Sequence, residues 1–215
     1  MAVETATQCD WVSLLTSGTL IPASAFVAIF LFIIRELLDC RRKSKARKNE
    51  IRALKQIFAR ECQVAWHING QIKKLCETFE PYEKKPQHER ILDLQVFKTT
   101  AGKTRYIVLK SGRKQSGGLL PEPSTENFSR FLYDVSKTDS VFYEKMDAAF
   151  KAIVELKHFY DSIVDNKDSA QLIEIENIMI GFSGYALKEI TWIEENLRAL
   201  YQFCTGEELT EGLLR

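Results

Sequence analysis

The chain has 215 residues, 45% of them hydrophobic and 27% charged, a balance that excludes a disordered polymer and leaves room for one ordinary domain plus an extra element. Its formal net charge is only +1, but the sum hides an asymmetry. Residues 1–34 carry Glu4 and Asp10 and no Lys or Arg, residues 35–80 twelve basic and six acidic side chains, 81–138 eleven and six, and 139–215 seven and fifteen. A basic first half joined to an acidic second half suggests an anionic surface near one end.

Residues 1–17 read as a short extracytoplasmic tail and 18–39 as a transmembrane helix. From Trp11 to Ile34 there is no charged side chain, and a bilayer core takes about 20 residues of helix. Ten of the residues from Leu20 to Ile34 are Leu, Ile, Val or Phe, which favours insertion by several kcal/mol at roughly −0.3 to −0.6 kcal/mol each. Pro22 falls where a first-turn proline costs little. A cleaved signal peptide would need a basic start, and MAVETATQCD has none. The cations come afterwards instead: Arg41, Arg42, Lys43, Lys45, Arg47 and Lys48. That order puts the N-terminus outside and the C-terminus in the cytoplasm, at the inner membrane if the cell is bacterial. The same six side chains are candidates for the membrane surface, worth about 1 kcal/mol each beside anionic head groups. Cys40, next to them, is a candidate lipid acceptor.

The helix is expected to continue through 40–80 as a basic juxtamembrane stalk. Ile51, Leu54, Phe58, Ala65, Ile68, Ile72, Leu75 and Phe79 recur every three or four residues, interrupted at Glu61. Such a seam can join two chains or pack within one; extra apolar residues at Ile57, Cys62 and Cys76 favour packing within the chain. Glu80-Pro81 should end the helix.

Residues 81–123 change period. Leu92–Lys98 and Thr104–Lys110 read as the strands of one inserted β-hairpin, joined by a five-residue loop with Gly102 at a positive φ. SGRKQSGGLLPEP then reads as a turn-rich loop. Hairpin and loop gather Lys98, Lys103, Arg105, Lys110, Arg113 and Lys114 around Phe97 and Tyr106. These are the candidate ligand or nucleic-acid contacts, by charge and stacking or through an anion nest in SGRKQSGG, whose backbone amides lie beside Arg113 and Lys114.

Residues 124–205 return to helical spacing. Ser124 can cap one helix running to about Ser136. A second opens at Asp139 or Ser140 and breaks at Asp165-Asn-Lys-Asp168. A third carries its apolar stripe from Leu172 to Cys204, with Gly181 and Gly184 inside it as candidates for a kink or a close helix crossing. Residues 206–215 form a tail. The fold class is therefore mainly α: a single N-terminal transmembrane helix continuing into a long stalk, and a cytoplasmic bundle of about four helices with one inserted β-hairpin.

The sequence holds no second Glu-x-x-His to match Glu155–His158, no Cys-x-x-Cys pair, no Gly-x-x-x-x-Gly-Lys loop and no Gly-x-Ser-x-Gly elbow. No catalytic residue, metal ligand or cofactor is therefore expected. The expected function is a single-pass, membrane-anchored interaction or signalling module, not an enzyme. Its partners are the lipid bilayer and a protein, or a second copy held through the stalk. One alternative is an oligomerising, toxin-like or antiviral membrane effector, whose Ala23, Ser24, Ala25 and Ala28 would let helices approach closely. The other is a membrane-tethered nucleic-acid binder.

Overall fold

A computed structural model describes residues 23–83, 85, 92–169 and 181–210. The chain divides into two compact units, Met1–Glu50 and Ile51–Arg215. The expected tail 1–17, with Cys9, and the first five residues of the expected span lie outside the described residues, as do 170–180 and 211–215.

Helix α1 is continuous over Ala23–Glu83, since no glycine interrupts it before Gly70. Pro81 lies inside its last turn rather than beyond its end. There a proline removes only the hydrogen bond that its N–H would have given to Glu77, a small loss at a frayed terminus.

In the first unit, from Phe26 to Ile34, α1 is apolar on every side. Ten large side chains between Phe26 and Leu38 are each 37–63% exposed, and the run Ile29–Ile34 alone turns through more than a full circle of the helix. Among the described residues no helix is long and apolar enough to cross a membrane: the described apolar run starts at Ala23 and meets Arg35, Glu36 and Asp39.

In the second unit the period changes to three and four, and one stripe of α1 is buried. Leu54, Phe58, Cys62, Ala65, Ile68, Ile72, Leu75 and Cys76 all join the core, so the heptad seam packs within the chain. Helices α2 (Glu126–Thr138), α3 (Ser140–Ser169) and α4 (Phe182–Thr205) supply the rest of the bundle. The ring of Phe58 sits between elements, 4.9 Å from that of Phe128 on α2 and 5.9 Å from that of Phe142 on α3. Phe142 in turn lies 5.4 Å from Phe203 on α4. Polar side chains flank the stripe. Lys55 Nζ donates to the Phe203 carbonyl, Gln63 Nε2 to Tyr201 OH, and Lys73 pairs with Glu194 at 3.0 Å. Glu61, the break in the heptad, accepts from Asn127 Nδ2 at 2.6 Å.

The sheet has three antiparallel strands in the order β1 (Leu92–Lys98), β2 (Thr104–Lys110) and β3 (Arg113–Leu119). The first two match the expected hairpin. The third replaces the expected turn-rich loop, because Ser111 and Gly112 both take positive φ, 49° and 76°. That pair is the signature of a two-residue hairpin turn whose twist suits the flanking strands. β3 also needs its glycines: a Cβ on Gly117 would come 2.8 Å from the Tyr106 carbonyl oxygen. One sheet face, with Val96, Tyr106 and Val108, is buried.

Helix boundaries differ from expectation in three places. α2 starts at Glu126 with Thr125 rather than Ser124 at its N-cap, although Ser124 Oγ accepts from the Glu126 amide at 3.4 Å. α3 does not break at Asp165 but runs to Ser169. Gly181 is the N-cap of α4, at φ 90°, and not an interior residue. Gly184 is inside α4, yet an added Cβ would meet nothing within 4 Å, so it marks no close crossing. Asp139 opens α3 as expected, its Oδ1 accepting from the Phe142 amide at 3.1 Å.

Phe58 is the test of this core. Phe58→Ala should cost about 3–5 kcal/mol, read as a lowered urea midpoint, while Tyr133→Ala on the exposed face of α2 leaves the midpoint nearly unchanged.

Candidate functional site

The six cations proposed from the hairpin do not form one cluster. The register pairs Lys98 with Thr104, Arg105 with Leu119, and Lys110 with Arg113. Lys98, Lys103 and Arg105 therefore stand at the β1–β2 end of the sheet, and Lys110, Arg113 and Lys114 at the β2–β3 end. About six residues of strand, roughly 20 Å, separate the two ends. All six are exposed. Arg113 and Lys114 lie on a strand, so the expected anion nest is not there: the segment that was to form it is laddered to β2. The stacking partners are divided as well. Tyr106 is buried, with its OH donating to Gln71 Oε1 at 3.4 Å, whereas Phe97 is exposed on the opposite face beside Arg105.

Two concave places adjoin this framework. The first is at the β1–β2 end, a cleft of about 450 Å³ lined by Lys98, Lys103, Thr104, Leu119, Glu122 and Tyr160 among others. Thr104 is on the core face of β2 and Tyr160 on the buried stripe of α3, and their hydroxyl oxygens lie 2.9 Å apart. Lys157, one turn before Tyr160, pairs with Glu122 at 2.7 Å and with Asp161 at 3.6 Å. The Glu122 bond raises the affinity of the Lys157 ammonium for its proton. The second is a groove of about 600 Å³ between α3 and α4, walled by Phe150, Val154, Tyr185 and Trp192 and edged by Glu155 and Glu189. Tyr185 OH donates to Glu155 Oε1 at 2.8 Å, and that bond pushes the phenol's pKa up.

Neither place was legible from motifs. The cleft had one sequence signal: Thr104 shares the face of Tyr106 and Val108 by alternation, a polar residue where the strand should be apolar. The groove had another, since Val154 and Trp192 fall off the buried stripes of their helices.

The six cations of the basic run are all exposed on α1, and Arg42 pairs with Asp39 at 3.8 Å. Among the described residues no three His, Cys, Asp or Glu side chains are grouped to hold a metal ion. Glu155 of the lone Glu-x-x-His is bound to Tyr185, and His158 is exposed.

Two thiols are set back from chemistry by burial. Desolvation, with smaller contributions from Cys204 and Glu61, pushes the Cys62 thiol well up. Burial takes the Cys204 thiol to about 12, partly opposed by Lys55. Both stay protonated at neutral pH and are poor nucleophiles.

Compared with protein-family models, with curated proteins and with solved structures, the chain matches none.

The thiols make stability depend on pH. In the unfolded chain a thiol loses its proton near its ordinary value of 9.0, while the native Cys204 keeps its proton to about 12. Between those values the unfolded state binds fewer protons, so stability falls as pH rises. Under reducing conditions the melting temperature should drop more between pH 8 and pH 10.5 for the wild type than for Cys204→Ala.

Proposed function

We propose that the chain is a membrane-tethered, non-catalytic interaction module that holds its second unit at the cytoplasmic surface for a protein partner. The observation that carries this reading is the first unit of α1. Large apolar side chains face outward all round it, and a run of exposed cations follows. A surface apolar on every side needs a nonaqueous neighbour, and a bilayer provides one without a second protein. Extending the apolar run back to residue 18 gives the length a spanning helix requires. The cations from Arg41 to Lys48 then fall where the cytoplasmic interface would be.

In the second unit, the surfaces available to a partner are the outer face of the sheet, with Phe97, Leu119 and Arg105, and the aromatic groove between α3 and α4. Exposed aromatic and Arg side chains are the residue types that anchor protein interfaces.

A second reading rests on the same uncovered residues. Copies of the apolar helix could cover one another, with Ala28 at the contact, and perturb the bilayer as an oligomer. Both readings place the segment in lipid, and they differ in what it does there.

Fractionation of cells making the full chain tests the tether. The wild type should remain in the membrane pellet through an alkaline carbonate wash, and Ile29→Arg with Phe32→Arg should move most of it to the supernatant, since each Arg at the centre of a span costs about 2.5–3.5 kcal/mol. A wild-type chain released by carbonate would sink the proposal. Growth arrest and loss of membrane potential on overexpression, abolished by the same pair of substitutions, would favour the oligomeric reading.

A further inference from the structure

We propose that the cleft at the β1–β2 end of the sheet is a binding site for a small phosphate monoester with an apolar body. This goes beyond the tether and does not depend on it, because every residue involved belongs to the second unit.

The cleft is where the sheet's core face runs out of core. Across the three strands, Lys98 on β1 pairs with Thr104 on β2, and the Leu120 amide, just past β3, donates to the Thr104 carbonyl at 3.0 Å. Leu120 is fully buried, but Leu119 and Pro121 on either side of it line the opening. The result is a cleft with an apolar wall, two exposed lysines at its rim and a volume of about 450 Å³, within the usual range for small-molecule sites.

Hydrogen counting points to the ligand. Thr104 and Tyr160 are 7% and 4% exposed, and their hydroxyls bond to each other at 2.9 Å. Each oxygen carries one hydrogen, and the bond between them uses one of the two. The second has no acceptor among the described residues. That O–H belongs to residues that line the cleft, so it is a donor offered to whatever enters there. An acceptor atom entering there would take that hydrogen while Lys98 and Lys103 supply positive charge. The neighbouring carboxylate, Glu122, is engaged by Lys157 at 2.7 Å, which reduces its repulsion of an anion. Two ammonium groups and one hydroxyl donor suit the dianionic, multi-acceptor phosphate. Leu119 and Pro121 suit an apolar substituent on it.

Calorimetry on the full chain in nonionic detergent at low salt, with phenyl phosphate as the probe, tests the site. Inorganic phosphate and phenol serve as the two halves of the probe. Phenyl phosphate should bind at one site per chain, about tenfold tighter than either half. Lys98→Met with Lys103→Met, both exposed and safe for folding, should weaken it by about tenfold or more, the scale of lost charge-assisted hydrogen bonds.

The hydroxyl pair gives a second, less obvious readout. Thr104→Val or Tyr160→Phe alone leaves one O–H free to donate, so each should change affinity by less than about threefold, whereas the double variant loses the donor and weakens binding by about tenfold. Competition separates the sources of such a ligand. Displacement of phenyl phosphate by short-chain phosphatidate supports a lipid head group, and displacement by a nucleoside monophosphate supports a soluble one. No binding by the wild type, or affinity unchanged in the double lysine variant, would overturn the proposal.

Discussion

Phe58 has no exposed surface, and its ring meets aromatic rings from both α2 and α3. The stripe it belongs to, Leu54 to Cys76 on α1, organises the second unit. α3 packs against α2, α4 and β1, and residues from all of these share one core with that stripe. The flanking bonds, Lys55 to the Phe203 carbonyl, Gln63 to Tyr201 and Lys73 to Glu194, tie the polar edges of α1 to α4 and so fix its rotation. Surface pairs of this kind add little energy singly. Their effect is to select the face of α1 that goes inward, while burial of the stripe provides the stability.

The same helix carries two different hydrophobic patterns. Before Arg35 the apolar residues follow one another without a period; after Ile51 they recur every three or four. The first pattern asks for an apolar environment on all sides, the second for one on a single side. Between them lies a stretch dense in cations, which can be buried in neither. The basic run thus separates a segment suited to lipid from a segment suited to a protein core, and it does so without breaking the helix.

Periodicity carried most of what could be read from the sequence. The seam of α1, the strands Leu92–Lys98 and Thr104–Lys110 and the buried stripe of α3 all follow from spacing, because burial on one face leaves a regular imprint. β3 does not, since RKQSGGL is polar and glycine-rich and is held by pairing rather than by its own burial. Its one signal was Ser111-Gly112, a short turn masked by the run of loop-forming residues after it. The end of α3 differs from expectation because Asp165 to Asp168 resembles a break by composition, while the helix propensities of Asp, Asn and Lys cost it only a few tenths of a kcal/mol to about 0.7 kcal/mol each. The candidate cleft was hidden for another reason: its defining pair, Thr104 and Tyr160, lies 56 residues apart. Only the packing of α3 on the sheet brings the two hydroxyls together. Lys98 and Lys103 were noticed as charges, but nothing in their spacing distinguished them from the three cations at the far end of the sheet.

The cysteines flanking the apolar segment offer the most direct measurement of the central claim, that this segment crosses a bilayer with the bundle inside. Intact cells or spheroplasts making the full chain are treated with a membrane-impermeant maleimide, and the modified cysteines are identified by mass spectrometry. The topology predicts that Cys9 is modified in intact cells and that Cys40 is modified only after the membrane is permeabilised. Modification of Cys40 in intact cells, or protection of Cys9 until lysis, would contradict it.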